Sequence, residues 1–163
     1  MIFLTIGTQF PFDRLVKSVD EAISRKVFEA EIFAQIGESS YRPRNFKYVK
    51  SLQKSQFDCW ARKASAIIGH GGMGTITVAL DGNKPLLVMP RLRKYGEVVN
   101  DHQLAVARKF EELGHILVAY ETEELPAKME ELKTFVPRKR EAQPQAVAER
   151  IAKFLNDLAN NGK

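Results

Sequence analysis

The stretch Ile67-Ile68-Gly69-His70-Gly71-Gly72-Met73-Gly74-Thr75 constrains this chain more than any other. An apolar run enters a glycine-rich turn and leaves it in a helical pattern, so a buried strand and a helix must meet there at a sharp angle. The first N–H groups of a helix have no intrahelical partner and lie at the positive end of its macrodipole, which makes such a junction an anion site. Glycines 69, 71, 72 and 74 carry no Cβ to hold an anion away. The alternative is a tight turn that binds nothing.

The rest of the chain alternates between the two periodicities. Strands are expected at Ile2 to Ile6, Glu31 to Ile36, Phe46 to Val49, Ala66 to Ile68, Pro85 to Met89 and Ile116 to Ala119. Helices are expected from Asp13 to Arg25, with Leu15, Val16, Val19, Ala22 and Ile23 on one face, and from Gln53 to Lys63. A short helix follows the glycine turn, with Gly82 as a left-handed C-cap, and another runs from about Asp101 to Leu113 before Gly114. Thr122 is placed to cap a helix with Pro126 in its first turn, and an amphipathic helix at about 140–159 carries Val147, Ile151, Phe154, Leu155 and Leu158. Strands alternating with helices over short links specify an α/β, Rossmann-like parallel sheet flanked by helices, read as a single domain over residues 1–163. Ligands in such sheets collect at the carboxyl ends of the strands. Gly7-Thr8-Gln9, His70 to Thr75 and Arg91 to Gln103 all emerge there.

Composition narrows the partners. The net charge is +5, yet the 25 basic residues are scattered among 20 acidic ones without aromatic interleaving, which argues against nucleic acid. No apolar run reaches the length of about 20 residues that spans a bilayer, and the N-terminus lacks the basic region and cleavage signal of a secretory leader. The single Cys59 allows no internal disulfide, so a reducing, cytoplasmic setting is expected.

Three segments together carry a family resemblance: Gly69 to Thr75, then Gly82-Asn83-Lys84-Pro85-Leu86-Leu87-Val88-Met89-Pro90-Arg91, then Gly96-Glu97-Val98-Val99-Asn100-Asp101-His102-Gln103. In order and spacing they resemble the donor-binding C-terminal half of GT-B glycosyltransferases of the family 28 group. The opening Thr5 to Leu15 resembles one branch of it, the short subunits of two-component capsule and exopolysaccharide glycosyltransferases, whose eukaryotic counterpart is the cytosolic subunit of the dolichol-linked UDP-GlcNAc transferase.

The resemblance implies a UDP-sugar lying across the sheet edge. Its diphosphate would meet His70, Gly71, Gly72, Gly74 and Thr75, with Gly7 and Thr8 on the neighbouring loop. Gln103 would contact a sugar hydroxyl within the segment Asn100, Asp101, His102 and Gln103, and Asp101 would orient that loop, cap the helix, or do both. Where the wider family places a ribose-binding glutamate, this chain has Val78, and Glu97 is the candidate replacement. Arg91, Arg93 and Lys94 would neutralise the departing UDP in place of a metal ion. No cofactor or metal is implied.

One half of a GT-B enzyme needs another. The resemblance implies a membrane-associated partner subunit that recruits a lipid-diphosphate-linked saccharide and supplies the general base, so that this chain would be the donor-binding catalytic subunit of an inverting hexosyltransferase, peripheral to the inner membrane face. The terminal amphipathic helix could dock that partner or cover its own sheet. Two other readings stand beside this one: a non-catalytic enhancer of a partner glycosyltransferase, and a stand-alone nucleotide-sugar enzyme such as an epimerase.

Overall fold

The computed structural model describes residues 1–139 and, beyond them, the isolated positions Glu149 and Ala152. The terminal helix expected at about 140–159 lies outside the described residues.

Six strands, β1 (Ile2–Thr5), β2 (Ile32–Gln35), β3 (Lys47–Val49), β4 (Ala66–Gly69), β5 (Leu86–Val88) and β6 (Leu117–Val118), form one sheet in the order β3-β2-β1-β4-β5-β6. Every pairing is parallel. The helices are α1 (Asp13–Ser24), α2 (Lys54–Lys63), α3 (Met73–Asp81), α4 (His102–Glu112) and α5 (Leu125–Leu132).

Alternation along the strands divides the core. Ile2, Leu4, Ile68 and Leu87 pack with Leu15, Val16 and Val19 of α1 and Met129 and Leu132 of α5. Phe3, Ile67, Leu86 and Val88 face the other way, onto Ala61 of α2, Ile76 and Ala79 of α3 and Ala107 of α4. Both faces of the sheet are therefore covered, which is why its strands read as continuous apolar runs. On the second face Phe33 stacks on Trp60 with ring centroids 3.9 Å apart, and this accounts for the chain's one tryptophan.

Two turn assignments differ from expectation. Gly82 has φ −84° and stays helical; the left-handed residue is Asn83, with φ +48°. Asparagine tolerates that region because its short polar side chain carries less steric penalty there. Thr122 does not cap α5: its hydroxyl bonds the Glu123 side chain, and α5 begins at Leu125 with Pro126 in its first turn. Gly114 does end α4 with a left-handed φ of +72°.

The strand order reverses between β1 and β4. At such a switch point the loops after two adjacent strands diverge to opposite faces and leave a crevice at the carboxyl edge. Here those loops are Gly7 to Phe12 and His70 to Gly72.

Candidate functional site

A cavity of about 590 Å³ occupies this crevice, a size that suits a small-molecule ligand. Gly7, Thr8 and Gln9 form one wall, and His70, Gly72, Gly74 and Thr75 form the opposite one. Thr5 and Gln35 lie at its sheet end; Leu52, Phe57, Met73 and Val78 supply apolar surface, and Lys54 a charge paired with Asp58. The sequence pattern singled out the glycine walls. It missed Thr5, Gln35, Leu52 and Phe57, whose only signal was their position at or after the carboxyl end of a strand.

At α3 the carbonyl of Gly72 accepts from the N–H groups of Thr75 and Ile76 at 3.1 and 3.2 Å. The N–H groups of Gly72, Met73 and Gly74 donate to nothing among the described residues. No side chain caps the helix. Three amide donors and the positive end of a nine-residue helix thus face the cavity, the arrangement that favours an anion.

The four glycines have different reasons to be there. A Cβ on Gly69 would lie 2.9 Å from the Thr5 carbonyl, and one on Gly71 would lie 3.0 and 3.1 Å from Gln103. One on Gly72 would sit 2.2 Å from His70 Nε2. Only at Gly74 is the space open. Three of the four absent Cβ atoms therefore make room for the protein itself, and Gly74 alone leaves room for a ligand.

The same packing fixes His70. Its ring is wedged between the backbones of Gly72 and Gly7, where a Cβ would come within 2.8 Å of Cε1, and Gly7 adopts φ +73°. Burial, with a smaller contribution from the nearby Arg91 cation, pushes the imidazole pKa down to about 4; a backbone contact with Thr5 opposes this only in part. Nδ1 is buried without a well-formed hydrogen bond. The ring is neutral at pH 7, so it offers an anion a single N–H and no charge.

The loop after β5 does not line the cavity. Arg91 is 2% exposed, and its Nη2 donates at 2.6 Å to the carbonyls of Ile6 and Phe10 while the guanidinium stacks 5.0 Å from the centre of the Phe12 ring. Lys94 pairs with Glu121 at 2.8 Å. Of the three cations expected beside a diphosphate, Arg91 is thus held by carbonyls beneath the β1 loop, Lys94 is held by a carboxylate elsewhere, and Arg93 takes no part in the walls.

Both oxygens of Glu97 are engaged within the protein. Oε1 pairs with Arg14 Nε at 2.8 Å, while Oε2 accepts from Arg14 Nη2 and the Leu92 N–H, each at 2.9 Å. Asp101 sits at the N-cap position of α4 but makes no capping bond; Oδ1 instead accepts from the Arg93 N–H at 2.8 Å, so it orients the loop. Asn100 Oδ1 takes the His102 N–H at 3.2 Å. Gln103 Oε1 accepts from the Arg91 N–H at 3.1 Å and packs on Gly71. The segment 91–103 is a brace that ties the β5 loop to the β1 loop and to the back of the glycine turn.

Arg91→Lys tests this brace. An ammonium on a shorter stem does not reach the position from which Nη2 meets both carbonyls and cannot stack flat on Phe12, so a loss of about 1–2 kcal/mol is expected, read as a fall of several degrees in thermal midpoint. An unchanged midpoint would show that these contacts contribute nothing.

An all-parallel sheet covered by helices on both faces is the Rossmann-like fold of one half of a GT-B glycosyltransferase, as solved structures of that class show. The chain belongs to the glycosyltransferase family 28 C-terminal domain family, whose profile matches residues 1–161. It is 28% identical over 129 residues to the human UDP-N-acetylglucosamine transferase subunit ALG13, covering 71% of this chain and 10% of that protein. The chain spans about a tenth of the length of the curated relatives it matches. Among solved structures, MurG of Acinetobacter baumannii superposes with a TM-score of 0.61 at 18% identity, over 82% of this chain and 42% of that one. The solution structure of ALG13 superposes with a TM-score of 0.60 at 20% identity, over 88% and 91%.

Proposed function

We propose that this chain binds the nucleotide-sugar donor of a two-component inverting glycosyltransferase, transferring a hexosyl group from a UDP-sugar to a lipid-diphosphate-linked saccharide in polysaccharide synthesis. The observation that carries the reading is the open cavity onto which α3 presents three unpartnered amides. A diphosphate seated there leaves as UDP when the acceptor attacks the anomeric carbon, and the amides and helix dipole stabilise the charge that develops on it. Among the described residues no group of three His, Cys, Asp or Glu side chains is arranged to hold a metal ion.

In this reading a membrane-associated subunit supplies the acceptor site and the general base, and the chain works at the cytoplasmic membrane face. Among the described residues no helix is long and apolar enough to cross a membrane. Names of similar proteins support the donor class: the human relative is a UDP-N-acetylglucosamine transferase subunit. Val78 favours a second reading, because it faces the cavity where a ribose acceptor would be needed and can accept nothing: a non-catalytic enhancer of a partner with its own donor site.

Calorimetry separates the two. The full chain is expected to bind UDP in the micromolar to millimolar range, and His70→Ala to weaken binding by about tenfold through loss of one positioned donor. Absence of heat at millimolar UDP, with full transfer by the partner alone, would establish the enhancer instead.

A further inference from the structure

Gln35 ends β2 at the sheet end of the cavity and is 3% exposed; Thr5, its register partner on β1, is fully buried. The Thr5 hydroxyl donates to Gln35 Oε1 at 3.0 Å and accepts from the Gly7 N–H at 3.4 Å. With the Gly7 N–H on one lone pair, the hydroxyl directs its single proton to Gln35 Oε1. The amide is thereby oriented with its carbonyl on Thr5 and its NH2 turned away.

That NH2 has no partner among the described residues. It is not sealed in the core as Arg14 Nη1, His70 Nδ1 and Arg91 Nε are, because it keeps contact with the cavity. With no protein partner this donor is left to the cavity, where an acceptor on a bound ligand can take it.

Position says which part of a ligand it meets. In the order β3-β2-β1-β4, Gln35 stands two strands from Gly69, which leads into the glycine turn; that is about 10 Å at the usual strand spacing. This exceeds the reach of a diphosphate seated on α3 and matches that of the nucleoside attached to it. Leu52 and Phe57, following the adjacent strand β3, give that end of the cavity an apolar wall suited to a planar base.

We infer that Gln35 is a ligand-reading residue whose NH2 group, oriented by Thr5, donates to an acceptor oxygen on the nucleoside part of a nucleoside diphosphate. The inference rests on the donor-site reading above and adds a residue to it.

The test compares UDP with inorganic pyrophosphate on the full chain, for wild type, Gln35→Leu and Thr5→Val, with thermal unfolding as the control for folding. Gln35→Leu is expected to weaken UDP about five- to tenfold and Thr5→Val about two- to threefold, the first being one neutral hydrogen bond and the second only its orientation, while pyrophosphate affinity stays unchanged. Where Gln35→Leu fails to fold, the wild-type Gln35 side-chain amide resonances provide the readout: they are expected to shift with UDP and not with pyrophosphate. UDP binding unaffected by Gln35→Leu, equal losses for the two ligands, or unmoved amide resonances would overturn the assignment. A wild-type chain that binds neither ligand would remove the donor-site reading itself, a result distinct from all three.

Discussion

Gly72→Ala is expected to destabilise the chain by about 2–3 kcal/mol and to abolish UDP binding, while Gly74→Ala, two residues along the same turn, is expected to stabilise it and still weaken UDP. Nothing in the sequence separates the two glycines; the contacts of the missing Cβ atoms do. At residue 72 the added methyl would lie 2.2 Å from His70 Nε2 and within about 3 Å of two further ring atoms. The imidazole cannot retreat, because Gly7 closes on its other side. It must swing into the cavity or force the turn apart, and overpacking of this kind costs about 1–3 kcal/mol before the disrupted turn is counted.

Residue 74 has no atom within 4 Å of its would-be Cβ. Its φ lies outside the left-handed region, so alanine fits the backbone and gains up to about 1 kcal/mol over glycine in a helix. The new methyl occupies cavity wall beside the free amides, and at least a tenfold loss of UDP affinity is expected. Thermal unfolding and calorimetry on the two variants should move in the same direction for binding and in opposite directions for stability. A double-mutant cycle isolates the cause: in a His70→Ala background, Gly72→Ala is expected to cost less than about 0.5 kcal/mol. An undiminished cost in that background would mean that the backbone, and not the ring, requires the glycine.

These glycines also show how far the sequence could be read. Apolar runs and glycine punctuation placed all six strands and the five helices within residues 1–139, because period and turn chemistry are local properties. Helix capping was less legible: whether Gly82 or Asn83 turns left-handed depends on how the chain must enter β5, and Thr122 lost its cap to a neighbouring glutamate. At the site the pattern found the glycine turn but could not show that three of the absent side chains make room for protein atoms. Glu97 and Arg91 looked like ligand contacts because a charge near a binding loop has no visible partner in one dimension. Their partners, Arg14 and the Ile6 and Phe10 carbonyls, are more than 75 residues away in sequence. Gln35 is silent in the sequence for the converse reason, since an amide at a strand end gains meaning only when a Thr from the adjacent strand fixes its orientation.

His70 carries the other large effect, in stability against pH. Its pKa is about 4 in the folded chain against an ordinary value of 6.5. Between those values the unfolded chain binds a proton that the folded chain refuses, so folding is progressively disfavoured as pH falls from about 6.5 to 4 and is indifferent to this residue above 6.5. The full difference corresponds to about 3 kcal/mol. Asp13 and Asp20 have lowered pKa values, held down by hydrogen bonds that outweigh their burial, and they also lose stabilisation in acid. Their window lies below the ordinary carboxylate value of 3.8, which leaves the range above it to the imidazole. Denaturant midpoints taken at pH 7 and 4.5 are expected to fall steeply for wild type and much less for His70→Asn, which keeps a polar side chain without a titrating ring. A diphosphate on the adjacent amides favours the imidazolium, so saturating UDP is expected to move the ring's titration, followed by NMR, toward higher pH. A ring that titrates near 6.5 in the free chain, with midpoints falling equally in both proteins, would place His70 in solvent and not between Gly7 and Gly72.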